Sequence, residues 1–347
     1  ILILSYLFFW YYPLAEAGLL ITTSQRPELT DSNYYLYLSE IISNDISENF
    51  YLANSTWLSQ GVVLYGAFIY FLFGAYPIFI TFINSILFTF VISKFLNSYN
   101  FKIENGFFIF LMIISPFTLS YFSILSKELL SVVGLLWFFS NYINSSTFRN
   151  LVLPSLFLLI VRPNLALILF FCFFIYNFRK NFILIVFSVI ILFLMIDSFQ
   201  NLFEAYGSIS IILERNIGAL ANKNSAIKEL IFNLVIYDSV FLNIIFSPLR
   251  ALIWIVSPFP LLDIPILQIF DNSELIKFGS RLSAARSIST IFIVLSLIYI
   301  TLNIKLIPKK LNFLVFFLII TVFLISFNSF FEGARYRVIL EPFLFFI

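Results

Sequence analysis

The sequence predicts an all-α, polytopic integral membrane protein, on the strength of its composition and its long apolar runs. Hydrophobic residues make up 61% of the 347 residues and charged residues 11%, whereas a soluble domain is typically about 45–50% apolar and about 25% charged. The apolar runs are long enough for roughly 11–13 helices that span a bilayer. An outer-membrane β-barrel would alternate polar and apolar residues instead. We expect a single transmembrane domain over residues 1–347, and we interpret the chain as a fragment cut within its first and last spans.

The residue types narrow the possible chemistry. The single cysteine, Cys172, excludes an intrachain disulfide and a thiolate metal cluster. The chain has no histidine, which excludes Ser-His-Asp catalysis and histidine metal sites. No basic tract indicates nucleic acid as a partner. Any catalysis must therefore use carboxylates, lysine, arginine, tyrosine or the backbone.

The charges of the loops predict the orientation of the chain. Residues 16–57 carry six acidic residues and one basic residue, Arg26. Several short loops are basic, with charges at Lys94, Lys102, Arg149, Arg179, Lys180, Lys305, Lys309 and Lys310. Basic short loops stay in the cytoplasm, so the acidic loop lies on the outer side. For a bacterial inner membrane, this is the periplasmic or extracellular face.

The elements follow in order from these loops and from the apolar runs. We expect spans over residues 1–15, 75–96, 106–125, 129–142, 151–161, 165–178, 182–196, 230–246, 251–261, 287–303, 311–327 and from 338 onward. The first outer loop covers residues 16–60 and contains amphipathic helices, and an outer polar segment covers residues 197–228. Residues 62–73 are short for a span, which indicates a juxtamembrane or re-entrant helix.

Asp31 stands at the start of a helical pattern in the first outer loop. Apolar and aromatic residues such as Tyr35, Leu38 and Ile42 recur at helical spacing, which predicts an amphipathic helix lying on the membrane surface. A carboxylate there faces the zone of the lipid phosphates and suits a general base. Asp also favours helix N-termini, so a capping role is the alternative.

Lys127 and Glu128 end the predicted outward span over residues 106–125. Glu128 is a candidate second catalytic carboxylate, which either shares a divalent cation with Asp31 or divides base and orienting roles with it. Lys127 is a candidate ligand for a lipid phosphate. The alternative is an interfacial ion pair or a lysine that extends along apolar surface to reach water.

Arg162 interrupts an apolar stretch that otherwise runs from residue 151 to residue 178. On the predicted path it lies at the outer face, against the usual preference of basic residues for the cytoplasmic side. An anionic ligand such as a phosphate explains an arginine there. An arginine whose head group only reaches the interface is the alternative.

Near the end of the chain, four charges separate two apolar spans: Glu332, Arg335, Arg337 and Glu341. An arginine pair beside Tyr336 suits a phosphate or carboxylate. Because Arg335 and Arg337 are two residues apart, an extended segment would place them on one side and a helix would not. Fixed cations are needed where a phosphate is expelled at low dielectric, so we expect this segment to hold the phosphate.

The order of these motifs resembles the polyprenyl-phosphate-sugar-dependent membrane glycosyltransferases of the GT-C fold, which include protein mannosyltransferases and lipid A aminoarabinose transferases. The similar segments are TDSNYYLYLSE, GVVLYGAFIYFLFGAYPIFITFINSILF, SPFTLSYFSILSKELL, LLIVRPNLALIL and EGARYRVILEPFLFF. The resemblance implies inverting sugar transfer from a polyprenyl-phosphate donor to a glycan or glycolipid acceptor at the outer face. It implies Asp31 as the base and Glu128 as the second acid. It also implies that Arg162, Arg335 and Arg337 hold the lipid phosphate.

One departure from the family concerns metal ions. The first loop carries a single Asp where the family has Asp-Glu. A requirement for Mg²⁺ or Mn²⁺, with Asp31 and Glu128 as ligands, therefore stays open.

Two other functions compete with the glycosyltransferase. An O-antigen-type polysaccharide polymerase also has many spans and outer arginines, but it typically uses large outer loops and no base-like Asp in the first loop. A lipid or sugar flippase or transporter predicts charged groups at the bilayer midplane and internal repeats. Most charges in this sequence lie at span ends, and no clear repeat is visible.

Overall fold

The computed structural model describes residues 2–7, 31–55, 60–99, 115–144, 148–178, 246, 288–291, 293–299, 301–302, 309–328 and 333–344. All regular secondary structure in these residues is helical, which confirms the predicted all-α class for this part of the chain. The predicted spans over residues 182–196 and 251–261, nearly all of the span over 230–246, and the outer polar segment 197–228 lie outside the described residues.

The helices follow the chain in this order: α1 (Leu2–Tyr6), α2 (Asp31–Asn44), α3 (Ile46–Ser55), α4 (Gln60–Phe73), α5 (Pro77–Tyr99), α6 (Pro116–Phe122), α7 (Lys127–Asn144), α8 (Phe148–Val161), α9 (Pro163–Phe178), α10 (Asn312–Asn328) and α11 (Gly333–Leu344). A 3-10 turn covers Lys309–Leu311, and residues 288–291 and 293–299 are also helical. The bounds of α5, α7, α8, α9 and α10 agree with the predicted spans to within three residues.

One helix in the described residues, α5, is both long enough and apolar enough to cross a membrane. It has 23 residues, which corresponds to about 34 Å and slightly exceeds the roughly 30 Å of a hydrocarbon core. Helices α4, α8 and α9 are also apolar, but they are shorter, at 14, 14 and 16 residues. The larger number of spans stays a prediction.

Helices α5 and α7 run parallel to each other, and α8 runs antiparallel to α7. The Asn144 amide donates a hydrogen bond to Ser98 Oγ at 2.8 Å, so the C-terminal ends of α7 and α5 meet. Asn141 donates to the carbonyl of Asn150 at 2.8 Å, so α8 begins where α7 ends. These relative directions agree with the predicted inward course of residues 75–96 and 129–142 and the outward course of residues 151–161.

The turn from α4 into α5 is built on a glycine and a proline. Gly74 has φ of 89°, a left-handed conformation that side chains other than glycine rarely adopt. Its N–H donates to the carbonyl of Tyr70 at 2.8 Å, as in a glycine-capped helix C-terminus. Pro77 then opens α5 at a position where a helix does not need a backbone donor.

Helix α2 packs its apolar face on protein, and its location at the membrane surface stays a prediction. Tyr35, Leu38 and Ile42 are each at most 7% exposed and join a core cluster with residues of α4. The Ser39 hydroxyl donates to the carbonyl of Val63 at 2.9 Å and ties the two helices together. The predicted amphipathic pattern of α2 is present. Helix α4 covers the apolar face of α2, because the small and β-branched residues of α4 fit against that face.

The chain forms two compact units. The first comprises Ile1–Ala166, Pro258–Lys310 and Val338–Ile347, and the second comprises Leu167–Ser257 and Leu311–Arg337. In the second unit, the Phe313 ring packs against Phe173 and Tyr176, with ring centroids 6.2 and 5.2 Å apart. The side-chain contacts of the candidate site described below fall within the first unit.

We predict that Gly66→Val destabilises the protein by about 1–3 kcal/mol, the usual effect of overfilling a packed interior. A Cβ at this position would overlap Ser39 Oγ and come within 2.7 Å of Leu125 Cδ2. Thermal unfolding of the full-length protein in detergent measures the effect. Phe68→Val is the matched control, because Phe68 lies on the same helix and is 62% exposed. Equal effects of the two substitutions would contradict the close packing of α2 on α4.

Candidate functional site

A break between α6 and α7 brings Lys127 and Glu128 to one end of the first unit. Helix α6 ends at Phe122, and α7 begins at Lys127. The predicted span over residues 106–125 therefore ends three residues early. The Ser126 hydroxyl donates to the carbonyl of Tyr121 at 2.7 Å, which stabilises the turn between the two helices. As a result, the two charged residues occupy the first turn of α7.

Two side chains of α5 satisfy the carbonyl groups that this break exposes. Asn84 Nδ2 donates to the carbonyl of Phe122 at 3.1 Å and to that of Ile124 at 3.0 Å. The Thr81 hydroxyl donates to the intervening carbonyl, that of Ser123, at 2.7 Å. Asn84 is 1% exposed and Thr81 is fully buried. Three successive carbonyl oxygens are thus paired away from solvent, as an apolar environment requires.

Glu128 and Arg162 form an ion pair. Arg162 Nη1 lies 3.6 Å from Glu128 Oε1, and the two side chains are 12% and 8% exposed. Arg162 stands between α8 and α9, where its backbone N–H donates to the carbonyl of Leu158 at 2.7 Å. The antiparallel packing of α7 and α8 brings the start of one helix beside the end of the other. Two residues that the sequence assigned separately to catalysis and phosphate binding are therefore direct neighbours.

Lys127 contacts α2 through an aromatic ring. Its Nζ lies 5.5 Å from the centroid of the Tyr35 ring, within range of a cation–π interaction. Tyr35 is one helical turn after Asp31 on α2, so the Asp31 backbone lies about 6 Å further along the helix axis. The start of α2 is thus at the same end of the first unit as Lys127. Asp31 is described at the backbone, and its side chain lies outside the described atoms.

The segment with Arg335, Tyr336 and Arg337 takes one of the two conformations that the sequence left open. It is helical within α11 (Gly333–Leu344), and two residues in a helix are about 200° apart around the axis. Arg335 and Arg337 therefore occupy different faces of the helix, and their role at a phosphate stays a prediction. Helix formation satisfies the backbone groups locally, which an extended segment in apolar surroundings would not do. The side chains of these three residues lie outside the described atoms.

Glu341 is a functional candidate that the sequence did not single out. It is fully buried, and its Oε2 accepts hydrogen bonds from the hydroxyls of Ser115, at 3.0 Å, and Thr118. Ser115 Oγ also lies 2.7 Å from Ser289 Oγ. The sequence feature that indicates Glu341 is a glutamate followed by a proline within an apolar run. The sequence placed this charge at a membrane boundary, whereas the structure places it in the interior of the first unit.

The described residues do not favour a divalent cation on Glu128. In the described part of the chain, no three acidic, cysteine or histidine residues come together as a metal site. Glu128 Oε1 faces the Arg162 guanidinium, whose positive charge would repel a metal ion bound to the same carboxylate.

Comparisons of the chain with known protein families, with curated proteins and with solved structures gave no significant match. The protein is therefore described by its own structure. Its described residues form an all-α fold, and one end of a helical unit carries a glutamate–arginine ion pair and a lysine that lies over a tyrosine ring.

We predict that Arg162→Met costs about 3 kcal/mol of stability, because it leaves the largely buried Glu128 carboxylate without its cationic neighbour. The double variant Glu128→Leu with Arg162→Met should recover most of this loss. Thermal unfolding in detergent measures both effects. Arg149→Met is the control, since Arg149 is an exposed arginine near the other end of α8. A loss no greater than that of the control would contradict the pairing.

Proposed function

We propose that the chain is a polytopic membrane glycosyltransferase that transfers a sugar from a polyprenyl-phosphate donor to a cell-envelope glycan or lipid acceptor. The observation that carries the proposal is the meeting of three elements at one end of the first unit. Lys127 and Glu128 begin α7, Arg162 follows α8, and Tyr35 connects Lys127 to the helix that Asp31 begins. These are the positions that the motif resemblance assigns to the base, the second acid and the phosphate ligands.

The charges at this end suit a phosphodiester. Lys127 and Arg162 supply two positive charges and Glu128 and Asp31 two negative ones, so the four groups sum to zero and the attraction for a phosphate is local to the two cations. A polyprenyl-phosphate sugar carries a single negative charge on its phosphodiester. After transfer, the leaving phosphate gains charge, and fixed cations at low dielectric stabilise that charge most strongly. The assignment of Arg335, Tyr336 and Arg337 to the phosphate stays a prediction from the sequence.

The reaction transfers a proton to Asp31 and a sugar to the acceptor, so two bonds break and two bonds form. The acceptor hydroxyl loses its proton to the Asp31 carboxylate as its oxygen attacks the anomeric carbon of the donor sugar. The bond between that carbon and the phosphate oxygen breaks, and polyprenyl phosphate leaves with the electron pair. Attack opposite the leaving group inverts the anomeric centre. Glu128 orients Arg162 toward the leaving phosphate, so the two acids divide the base and orienting roles.

A second candidate, a lipid or sugar transporter, is favoured by one observation. Phe343 of α11 packs against Phe139, which is twelve residues into α7 and about 18 Å along its axis from Lys127. Glu341, two residues before Phe343, is therefore a buried carboxyl group remote from the Lys127 end. Transporters place ionisable groups at such depths. A transporter would function with Asp31 replaced by Asn, whereas the glycosyltransferase would not.

We predict that Asp31→Asn lowers sugar transfer from a radiolabelled polyprenyl-phosphate sugar by about 10²–10⁴-fold, because the variant lacks the general base. The assay uses membranes that contain the full-length protein, with expression levels matched. Binding of polyprenyl phosphate should be retained, since the substitution removes the proton acceptor and leaves the cations in place.

Asp45→Asn is the matched control in the same loop. Asp45 Oδ1 accepts hydrogen bonds from the Ser47 hydroxyl at 2.7 Å and from the backbone N–H of Glu48 at 3.1 Å, and these bonds lower the pKa of the carboxyl. Asp45 thus caps α3, and asparagine is an equally good capping residue. Transfer should therefore be unchanged. Equal activity of Asp31→Asn and wild type would refute Asp31 as the base, and no transfer by wild type from any lipid-phosphate sugar would refute the proposed function.

A further inference from the structure

Asn84 lies on α5, away from the residues assigned to the chemistry, and uses its whole amide group. Its two N–H bonds point to the carbonyls of Phe122 and Ile124, at 3.1 and 3.0 Å. Its Oδ1 accepts a hydrogen bond from the Tyr65 hydroxyl at 2.8 Å. An asparagine side chain offers two donors and one carbonyl oxygen, and here each is used. No other side chain of this size supplies two donors from one nitrogen beside an acceptor.

The break that Asn84 holds leads directly into the candidate site. Ile124 precedes Lys127 by three residues. On the first turn of α7, the Ser126 hydroxyl accepts a hydrogen bond from the backbone N–H of Leu129 at 3.5 Å. Thr81, one turn before Asn84, pairs the remaining carbonyl of the break. The position of the α7 start relative to α5 is therefore fixed by three hydrogen bonds from two α5 side chains.

We propose that Asn84 is a positioning residue that, with Thr81, sets where Lys127 and Glu128 stand relative to Tyr35 and Arg162. The role in ligand binding rests on the proposed function, because it assumes that Lys127 and Arg162 hold a lipid phosphate. The role in holding the break does not. Loss of the amide leaves two carbonyls unpaired in buried surroundings, which favours local opening of the turn.

The first arm of the test measures that opening without any ligand. The background variant carries two substitutions. Cys172→Ser removes the single native cysteine. Ser126→Cys introduces a cysteine at a side chain that is 3% exposed, and its alkylation reports how often the break opens. We expect Asn84→Leu to speed alkylation of this cysteine about tenfold, and Thr81→Val to speed it less, in proportion to the hydrogen bonds lost.

Ser85→Ala is the matched control for this arm. Ser85 follows Asn84 on the same helix, and its hydroxyl donates within α5, to the carbonyl of Thr81, at 2.8 Å. Alkylation in this variant should equal that of the background. Equal alkylation rates for Asn84→Leu and Ser85→Ala would overturn the proposal, whatever the function of the protein.

The second arm measures binding of undecaprenyl phosphate as the rise in thermal stability of the full-length protein in detergent. The lipid concentration that gives half of the maximal rise in unfolding temperature is compared between variants. We expect it to be about tenfold higher for Asn84→Leu and Thr81→Val than for wild type or Ser85→Ala. A lower unfolding temperature with an unchanged lipid requirement would mean that Asn84 is merely structural and would overturn the positioning role. If undecaprenyl phosphate does not raise the thermal stability of wild type, lipid-phosphate binding by Lys127 and Arg162 is refuted. The proposed function and the role of Asn84 in ligand binding then fail together. The role of Asn84 in holding the break is decided separately, by the alkylation rates of the first arm.

Discussion

The hydrogen bonds from α5 to the break before α7 are the constraint on which the candidate site depends. A helix that ends in apolar surroundings leaves carbonyl groups that water does not reach, and these must find donors within the protein. Asn84 and Thr81 supply those donors to three successive carbonyls. Because the break is satisfied, a new helix can begin at Lys127 and carry its first two side chains toward α2 and α8. Without the break, a continuous helix would carry these charges elsewhere.

Around that start, charge and packing constrain each other. Glu128 and Arg162 are largely buried, and their proximity offsets part of the cost of removing both charges from water. Lys127 remains partly exposed and lies over the Tyr35 ring, and the proposed function assigns it to an anion at the surface of the unit. The close fit of Gly66 against Ser39 and Leu125 holds α2 near this end. The arrangement combines an arginine beside a carboxylate with a lysine over an aromatic ring, which suits a ligand of low charge.

Much of the fold could be predicted from the sequence, because apolar runs and punctuation residues determine it locally. The ends of α5, α7 and α8 and the helix that begins at Asp31 follow from such local signals. The covering of α2 by α4 and the pairing of Asn84 with carbonyls 38 and 40 residues away depend on the register between helices, which no single sequence pattern encodes. The sequence left the course of residues 335–337 open between a helix and an extended segment, and the structure makes it helical. Glu341 was assigned to a boundary, since its hydroxyl partners Ser115 and Thr118 lie more than 200 residues earlier.

The central claim, that the Lys127 end of the first unit binds a lipid phosphate, is tested most directly by photocrosslinking. The probe is a polyprenyl phosphate with a photoreactive group next to the phosphate, applied to the full-length protein in nanodiscs, followed by peptide mapping. We predict crosslinks in the first turns of α2 and α7, and their loss when unlabelled polyprenyl phosphate is added in excess. Crosslinks near Glu341, or crosslinks that excess lipid phosphate does not remove, would contradict the claim.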